Sequence, residues 1–362
     1  MPEISPMELI AYVESILVAA GAPEHDSAIV AAHLVESNLK GHDSHGVVRL
    51  PVYVSGVQRG FTKPGTPITI DRETDSTAVV NCGWNFGQVA ARRCMQLAIE
   101  KARVGGVGVV TGYRMTHVGR LGAYVEQATE AGMVGFAAAS YAEGGRIVAP
   151  YGGAARRLST NPIAVGVPTA DRDAPFIFDT ATSGAAEGKL RMARNLGQPI
   201  AEGLLLTTEG APTTDPNDFY SGGALLPLAG HKGFGLALSL QALGTLLAPN
   251  PAQPGTASQG LFIMVLDPEK FAGRVALEAS MSALIEEVKQ PPYQAGFDEI
   301  LVPGEGSRRR AGERAFAIPL DDETWRQLTE VATLLGVETP SLEPREPRRR
   351  RSADSEAASF DD

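Results

Sequence analysis

The sequence predicts a layered fold of the α/β or mixed α+β class. In the middle of the chain, short apolar runs alternate with longer stretches whose apolar residues recur at helical spacing. The two ends of the chain show helical spacing instead. Strands interleaved with helices in this way favour a sheet that is covered by helices.

The composition excludes several classes of protein. The 362 residues are 43% hydrophobic and 20% charged, which is too apolar for overall disorder, and the length suggests about two domains. A net charge of −10 argues against a nucleic-acid partner, because phosphate neutralisation needs clustered cations. Two cysteines, Cys82 and Cys94, form neither a CxxC motif nor a disulfide framework, so we expect the reducing cytoplasm. No run approaches the ~18 apolar residues of a membrane span and no secretory signal is evident, so we expect no membrane partner.

Capping residues mark the predicted helices at the N-terminus. Residues 5–8 form a capping box with proline at the first helical position. A second helix is predicted from Pro23 to Lys40, with Gly41 at the C′ position. We expect Asp43 or Ser44 to cap a third helix.

The rest of the chain is predicted from the same two patterns. The predicted strands are Thr77–Asn81, Val107–Val110, Val134–Ala139, Ala164–Pro168, Phe176–Thr180 and Leu261–Leu266. The predicted helices are Asn85–Val104, Val118–Ala131, Ser183–Asn195, a strongly apolar one from about Lys232 to Ala248, Val275–Lys289 and Asp321–Gly336. The stretch 197–231, rich in Gly, Pro and Thr, is expected to be irregular, and the Arg-rich tail 341–362 to be disordered.

The densest polar cluster is His42–His45, which Arg49 follows. If a helix starts near Ser44, then His45 and Arg49 lie one turn apart on the same face. A proton donor beside a bidentate carboxylate clamp suits chemistry on a small carboxylic acid. From the residues alone, two alternatives stay open: a helix cap with surface histidines, and part of a metal site that includes His42 and His45.

Three further polar clusters lie near the ends of predicted strands or the starts of helices. His117 follows a strand, and the hydroxyls and backbone N–H groups of 179–183 could cradle a phosphate. Lys232 begins a helix, where a cation is unfavourable, so it predicts a bound anion; a Schiff base is the sharper alternative. Each cluster is also compatible with simple caps and solvated side chains. No GxGxxG motif lies between a strand and a helix, so the residues alone do not predict a dinucleotide site.

Eight short motifs occur in one order over about residues 3–338: DSHGVVRL (43–50), THVG (116–119), APYGG (149–153), STNP (159–162), FDTATS (178–183), PTTDP (212–216), GHKG (230–233) and ILVPGE (300–305). In this order the sequence resembles the malate/L-lactate dehydrogenase family of non-Rossmann NAD(P)-dependent oxidoreductases. That family includes malate, sulfolactate and ureidoglycolate dehydrogenases and cyclic imino-acid reductases.

The resemblance implies a fold, a cofactor and an assembly. It implies a mixed-sheet cofactor-binding domain (76–270) and a helical part built from both chain ends (1–75 and 271–340), with the tail 341–362 outside the match. The cofactor would be NAD or NADP, with a slight preference for NAD. The protein would be a cytoplasmic homodimer whose active site lies near the interface.

The resemblance also implies roles for individual residues. His45 would be the general acid and base, with His117 as the second candidate, and Arg49 would hold the carboxylate of a small acid. Ser44, His117 and Thr160 would line the substrate pocket. The residues implied to contact the cofactor are Ile177, Phe178, Asp179, Thr180, Ala181, Thr182, Ser183, His231, Lys232, Gly304 and Glu305. No metal is implied.

The expected reaction interconverts a 2-hydroxy acid and a 2-oxo acid by hydride transfer. The alternative within the same family is the reduction of a cyclic imino acid, whose carboxylate Arg49 would hold in the same way. A retired enzyme that only binds the dinucleotide, and a metal-dependent hydrolase through His42, Asp43 and His45, are the rivals from other classes. One departure from the family pattern is the basic stretch Arg191–Arg194, which would suit NADP.

Overall fold

A mixed sheet of seven strands organises the part of the chain that the computed structural model describes, residues 2–195, 197–249 and 258–341. The described strands are β1 (Glu3–Ile4), β2 (Thr69–Glu73), β3 (Thr77–Asn85), β4 (Val107–Met115), β5 (Val134–Glu143), β6 (Ile163–Val167), β7 (Phe176–Thr180), β8 (Leu205–Leu206), β9 (Pro212–Thr213), β10 (Ala224–Leu225), β11 (Ser258–Leu266) and β12 (Ile318–Pro319). The large sheet has the order β2-β3-β4-β11-β5-β6-β7. The layered α/β prediction is therefore confirmed.

The described α-helices cover this sheet or pack at its side. They are α1 (Pro6–Ala19), α2 (Glu24–Leu39), α3 (Leu50–Gln58), α4 (Gly87–Gly105), α5 (Gly122–Glu130), α6 (Glu187–Asn195), α7 (Pro216–Tyr220), α8 (His231–Gln241), α9 (Arg274–Val288), α10 (Glu305–Glu313) and α11 (Asp322–Leu335). Within the described ranges, no helix is long and apolar enough to span a bilayer.

The order of the strands decides which loops meet. Strand β3 runs parallel to β4, and α4 makes the crossover between them. Strand β11 lies between β4 and β5 and is antiparallel to both. The carboxyl ends of β4 and β5 therefore lie at the same edge of the sheet, and the segment with His117 leaves from this edge.

Two main hydrophobic cores hold these layers together. One core packs α4 and α5 on the sheet, with Met95 and Val125 against Val110 and Ile263. The other core joins the two ends of the chain: it contains residues of α1, α2 and α3 together with Leu328 of α11. Strands β1 and β12 pair beside it, so the C-terminal segment closes onto the N-terminal one.

Most predicted elements are present, and the capping prediction is confirmed by the bond that the Ser5 side chain accepts from the Glu8 N–H. The predicted third helix from Asp43 or Ser44 is wrong. Residues 43–45 and 47–49 form two 3₁₀ turns, separated by extended Gly46, and α3 begins only at Leu50. The Val47 N–H donates to Asn38 Oδ1 at 2.8 Å instead of to the carbonyl of Asp43, so the helical hydrogen bond is missing here. A Cβ at position 46 would lie 2.1 Å from Asn38 Oδ1, so only glycine fits against α2 at this point.

The patterns also missed several elements. Strand β2 and helix α10 are rich in polar residues and were not predicted. The stretch 197–231 is not wholly irregular, because it forms a small three-stranded sheet (β10-β8-β9) and α7. Helix α8 ends at Gln241, and the chain continues as a π-helical segment over Ala242–Leu246. The predicted Arg-rich tail lies almost entirely outside the described residues.

Replacing Leu328 by Ala should lower the free energy of unfolding by about 2–5 kcal/mol, because it removes a fully buried side chain from the core that joins the two chain ends. Urea unfolding followed by circular dichroism measures this change. Leu334→Ala on the same helix is the matched control, since that side chain is 84% exposed and should change stability by less than about 0.5 kcal/mol. Equal effects of both substitutions would contradict the docking of α11.

Candidate active site

The turn Asp43–His45 carries the predicted proton donor. The buried side-chain amide of Asn38 bonds to residues on both sides of His45. Asn38, near the end of α2, donates from Nδ2 to Asp43 Oδ1 at 2.7 Å and accepts at Oδ1 from the Val47 N–H at 2.8 Å. Arg314, just after α10, donates to both carboxylate oxygens of Asp43 at 2.7 and 3.2 Å. The turn is thus tied to the N-terminal helices and to the C-terminal segment at once.

His45 and His117 meet although 72 positions separate them in the sequence. Their rings stack with centroids 5.7 Å apart and planes at 25°. Ser44 Oγ lies 3.0 Å from His45 Nδ1, and the Tyr53 hydroxyl lies 2.8 Å from His117 Nδ1. Gln88 Nε2 donates to that same hydroxyl at 2.8 Å. The structure therefore places both predicted catalytic histidines in one cluster that two helices support.

The loop after β4 presents His117, and its backbone is held from two sides. The Arg120 N–H donates to His33 Nε2 of α2 at 2.9 Å, and the Val118 N–H donates to Gln259 Oε1 of β11 at 2.8 Å. Gly119 has φ +75°, and a Cβ there would lie 2.2 Å from His33 Nε2. Glycine is required here both for the left-handed backbone and for the close approach of the loop to α2.

Burial keeps these histidines neutral in the free protein. It lowers the pKa of His45 to about 3, with the nearby Arg49 charge as the second cause. The same two causes, in the same order, hold the pKa of His117 well below its ordinary value. Burial also lowers the pKa of His33 to about 3 and that of His42 to about 4. A neutral His33 is consistent with the hydrogen bond that its Nε2 accepts.

Arg49 lies on the second 3₁₀ turn rather than on the helical face that its spacing predicted. Its Nε donates to the carbonyl of Ser44 at 2.7 Å, and its Nη2 lies 3.4 Å from Glu187 Oε2. After burial, the charge of Arg49 is the second cause that lowers the pKa of both histidines. The guanidinium is therefore held beside the histidine pair by a different local geometry.

A cavity of about 420 Å³ brings together part of the predicted cofactor set: Ile177, Phe178, Asp179 and Gly304. Its basic side chains, beside His42, are Lys40, Arg120, Arg172 and Arg308. Arg120 is 3% exposed and pairs with Glu126, yet its Nε has no hydrogen-bond partner among the described residues. Four acidic side chains, Glu126, Glu130, Asp173 and Asp179, line the same cavity, so its wall carries charges of both signs.

Asp179 contributes a carboxyl group to the same cavity. It accepts a hydrogen bond from the Gly122 N–H at the start of α5, at 2.7 Å. Burial raises the pKa of Asp179 to about 6 in spite of this bond. The side chain thus joins the edge of β7 to α5.

The hydroxyl groups of the loop after β7 donate hydrogen bonds to backbone carbonyls. Thr182 Oγ1 donates to the Thr160 carbonyl at 2.9 Å, and Ser183 Oγ donates to the Ala185 carbonyl at 2.8 Å. Thr180 Oγ1 bonds to the Ala181 carbonyl at 3.3 Å. These donated hydrogen bonds shape the loop, and each hydroxyl keeps its acceptor lone pairs.

The remaining predicted cofactor residues lie at two helix starts. His231 and Lys232 begin α8 and are exposed, and Lys232 has no hydrogen bond or ion pair within the described residues. The Leu228 N–H donates to the Thr182 carbonyl at 2.8 Å, which brings the loop before α8 to the hydroxyl-rich loop. Glu305 begins α10 and pairs with Lys289 at 2.6 Å. None of these three predicted residues lines the 420 Å³ cavity.

The open alternative of a metal site finds no support in the geometry. Among the described residues, no group of three or more His, Cys, Asp or Glu side chains is placed to hold a metal ion. His42 Nε2 lies 3.1 Å from Ser307 Oγ, whereas His45 faces His117.

Several residues that build the site were missed from the sequence: Asn38, Tyr53, Gln88, Glu187 and Arg314. Asn38 and Gln88 are 2% and 1% exposed, and both lie on helices that the apolar spacing predicted. The available signal was a polar side chain at a position that the helical pattern assigns to the core. Such a residue needs a buried partner, but the sequence does not say which one.

Comparison with known proteins identifies the fold and the family. The sequence model described as malate/L-lactate dehydrogenase matches residues 4–329. L-sulfolactate dehydrogenase of Methanothermobacter thermautotrophicus is 38% identical, over 92% of this chain and 97% of that protein. The solved structure of a putative malate/lactate dehydrogenase from E. coli has a TM-score of 0.87 and 32% identity, over 93% of this chain and 96% of that one.

A second solved structure with the same architecture is Δ1-piperideine-2-carboxylate reductase from Pseudomonas syringae. It has a TM-score of 0.80 and 26% identity, over 92% of this chain and the whole of that one. The resemblance inferred from the eight motifs is confirmed: the chain belongs to the malate/L-lactate dehydrogenase family of hydroxy-acid oxidoreductases.

Proposed function

We propose that this protein interconverts a 2-hydroxy acid and its 2-oxo acid, with His45 as the general acid and base and Arg49 as the carboxylate clamp. The observation that carries the proposal is the pair His45–His117, stacked 5.7 Å apart beside an arginine that is fixed on Ser44. A planar guanidinium orients a carboxylate, and a histidine beside it exchanges the proton of the neighbouring C–OH group.

The hydrogen bonds support different roles for the two histidines. The Gly119 N–H donates to His117 Nδ1 at 3.3 Å, and an amide only donates, so the hydrogen of the neutral ring lies on Nε2. His117 therefore presents a donor that polarises the substrate oxygen. His45 Nε2 has no hydrogen-bond partner within the described residues, and Ser44 can accept from its Nδ1–H. His45 thus offers a free lone pair that can take the hydroxyl proton.

The cavity beside Asp179 offers donors to a nicotinamide dinucleotide. Arg172 and Arg308 in its wall suit the phosphates, whereas Lys40 and Arg120 already pair with Glu126. A Cβ at Gly304 would lie 3.2 Å from the Ile177 backbone nitrogen, so the backbone reaches close to β7 only because this residue is glycine. When bound, the nicotinamide ring supplies or accepts the hydride. We propose NAD or NADP, with a slight preference for NAD.

Reduction of a cyclic imino acid is the second candidate, since a reductase named for such a substrate shares the architecture. A protonated imine already carries its proton and so makes no demand on a general acid. Arg49 would hold its carboxylate in the same way. The two candidates therefore differ in their dependence on His45.

Apolar surface supports the proposed homodimer. Helix α9 buries none of its residues, and its Val275 and Leu284 side chains are 73% and 51% exposed. Leu246, after α8, is 75% exposed as well. Apolar helical surface of this kind is typical of subunit interfaces. The free buried thiols Cys82 and Cys94 suit the reducing cytoplasm, where we place the protein.

His45→Ala should lower kcat for a 2-oxo acid by about 10²–10⁴-fold, the usual contribution of general acid catalysis. Arg49→Lys should mainly raise KM, because lysine lacks the planar fork. NADH and NADPH oxidation is followed by absorbance over a panel of 2-oxo acids and cyclic imino acids, with Leu334→Ala as the control. Undiminished 2-oxo acid reduction by His45→Ala contradicts the assigned role. Reduction of an imino acid alone, retained in that variant, favours the second candidate.

Binding of oxamate, an inert 2-oxo acid analogue, should strengthen as the pH falls towards 3. Its carboxylate offsets the Arg49 charge that helps to hold the pKa of His45 near 3, so the pKa of His45 rises in the complex. Protonation then favours the bound state, by at most about tenfold per pH unit. Calorimetry of the NADH complex in buffers of different ionisation enthalpy should show proton uptake. Proton release, or affinity that is independent of pH in this range, would contradict the coupling.

The purified protein should show twice the chain mass in light scattering coupled to gel filtration. Leu284→Glu should shift it towards monomer, because a carboxylate would be buried in the apolar interface. Glu209→Gln, on an exposed turn, is the control and should stay dimeric. A monomeric wild type would contradict the proposed assembly.

A further inference from the structure

Glu187, the first residue of α6, places a carboxylate directly beside the proposed substrate clamp. Its Oε2 lies 3.4 Å from Arg49 Nη2, while the Arg49 Nε is bound to the Ser44 carbonyl. Within the described residues, Arg49 Nη1 has no hydrogen-bond acceptor. The clamp therefore keeps one free terminal nitrogen for a ligand and shares the other with Glu187.

Bonds on the other side of the carboxylate fix Glu187 in this place. Its Oε1 accepts from Arg191 Nη2 at 2.9 Å, from Arg191 Nε at 3.3 Å and from the Tyr220 hydroxyl at 3.1 Å. These contacts are shorter than the one to Arg49, so Glu187 is anchored by Arg191 and Tyr220. A Cβ at Gly188 would lie 2.2 Å from Ser44 Cβ, so α6 packs directly on the turn that carries His45.

The cavity around the clamp holds charges of both signs. Its lining, around a volume of about 780 Å³, includes four basic residues (Arg49, Arg191, Arg194 and Arg314) and five acidic ones (Asp43, Glu187, Asp321, Asp322 and Glu323). Among the acidic ones, Glu187 pairs directly with Arg49 and so lies beside the position of a bound substrate carboxylate. A second anionic group on the substrate would meet the fixed carboxylate of Glu187.

We propose that Glu187 is a specificity-determining residue, which favours 2-hydroxy acids with a single acidic group over those that carry a second carboxylate or a sulfonate. The inference rests on the proposed function, because it takes Arg49 as the carboxylate clamp. Like charges at this range in a partly solvated cavity repel enough to change affinity by on the order of tenfold.

Binding of two inert acids to the full-length protein saturated with NADH tests the proposal. Oxamate carries one carboxylate and tartronate carries two, and calorimetry gives the affinity of each. Glu187→Gln should raise the affinity for tartronate relative to oxamate by about tenfold. Glu187→Asp is the matched control: it keeps the negative charge and should keep the wild-type preference. This readout does not depend on turnover.

The outcomes separate this inference from the proposed function. Equal weakening of both acids by Glu187→Gln would overturn the inference, because it would make Glu187 only a support for Arg49. An unchanged ratio of the two affinities would overturn it as well. Arg49→Gln tests the clamp itself: oxamate binding that survives this change contradicts the proposed function. Loss of oxamate binding in Arg49→Gln, with the tenfold shift in Glu187→Gln, supports both.

Discussion

The geometry of the site depends on one buried side-chain amide. The Asn38 side chain donates to Asp43 and accepts from the Val47 N–H. A single residue of α2 therefore fixes the chain on both sides of His45. The same carboxylate of Asp43 also accepts from Arg314, so the turn is bonded to both ends of the chain. An unpaired buried amide costs about 1–3 kcal/mol, so these bonds also select one conformation of the turn.

His117 comes from the sheet, whereas His45 comes from the helical part. The site therefore depends on both hydrophobic cores, the one on the sheet and the one that joins the chain ends. His117 follows β4 of the sheet, but its loop is bound to His33 of α2 and its ring to Tyr53 of α3. The catalytic pair therefore lies at the seam between the sheet and the terminal helices. Burial at this seam lowers the histidine pKa values, so the free protein offers neutral rings. A neutral ring is the form that accepts a proton from a hydroxyl.

The sequence predicted what depends on neighbours in the chain and missed what depends on distant partners. The cap at Ser5 and the strand Phe176–Thr180 depend only on neighbouring residues in the sequence, and both predictions are confirmed. The segment 43–49 was expected to be helical, since nothing local reveals that Asn38 accepts the Val47 N–H. Glu187 looked like an ordinary residue of a basic helix, because its partner Arg49 lies 138 positions away. The choice of His45, His117 and Arg49 came from the family motifs rather than from periodicity.

Two cavities flank the turn, and each combines cations with carboxylates. The one beside Asp179 has four Lys or Arg and four Asp or Glu side chains in its wall, and Glu126 pairs with both Lys40 and Arg120. In the cavity beside Arg49, Glu187 pairs with both Arg49 and Arg191. A carboxylate that already holds a cation leaves only the remaining donor nitrogens for a ligand. Each cavity is thus held in shape by its own ion pairs, and a ligand anion must bind at the donors that these pairs leave free.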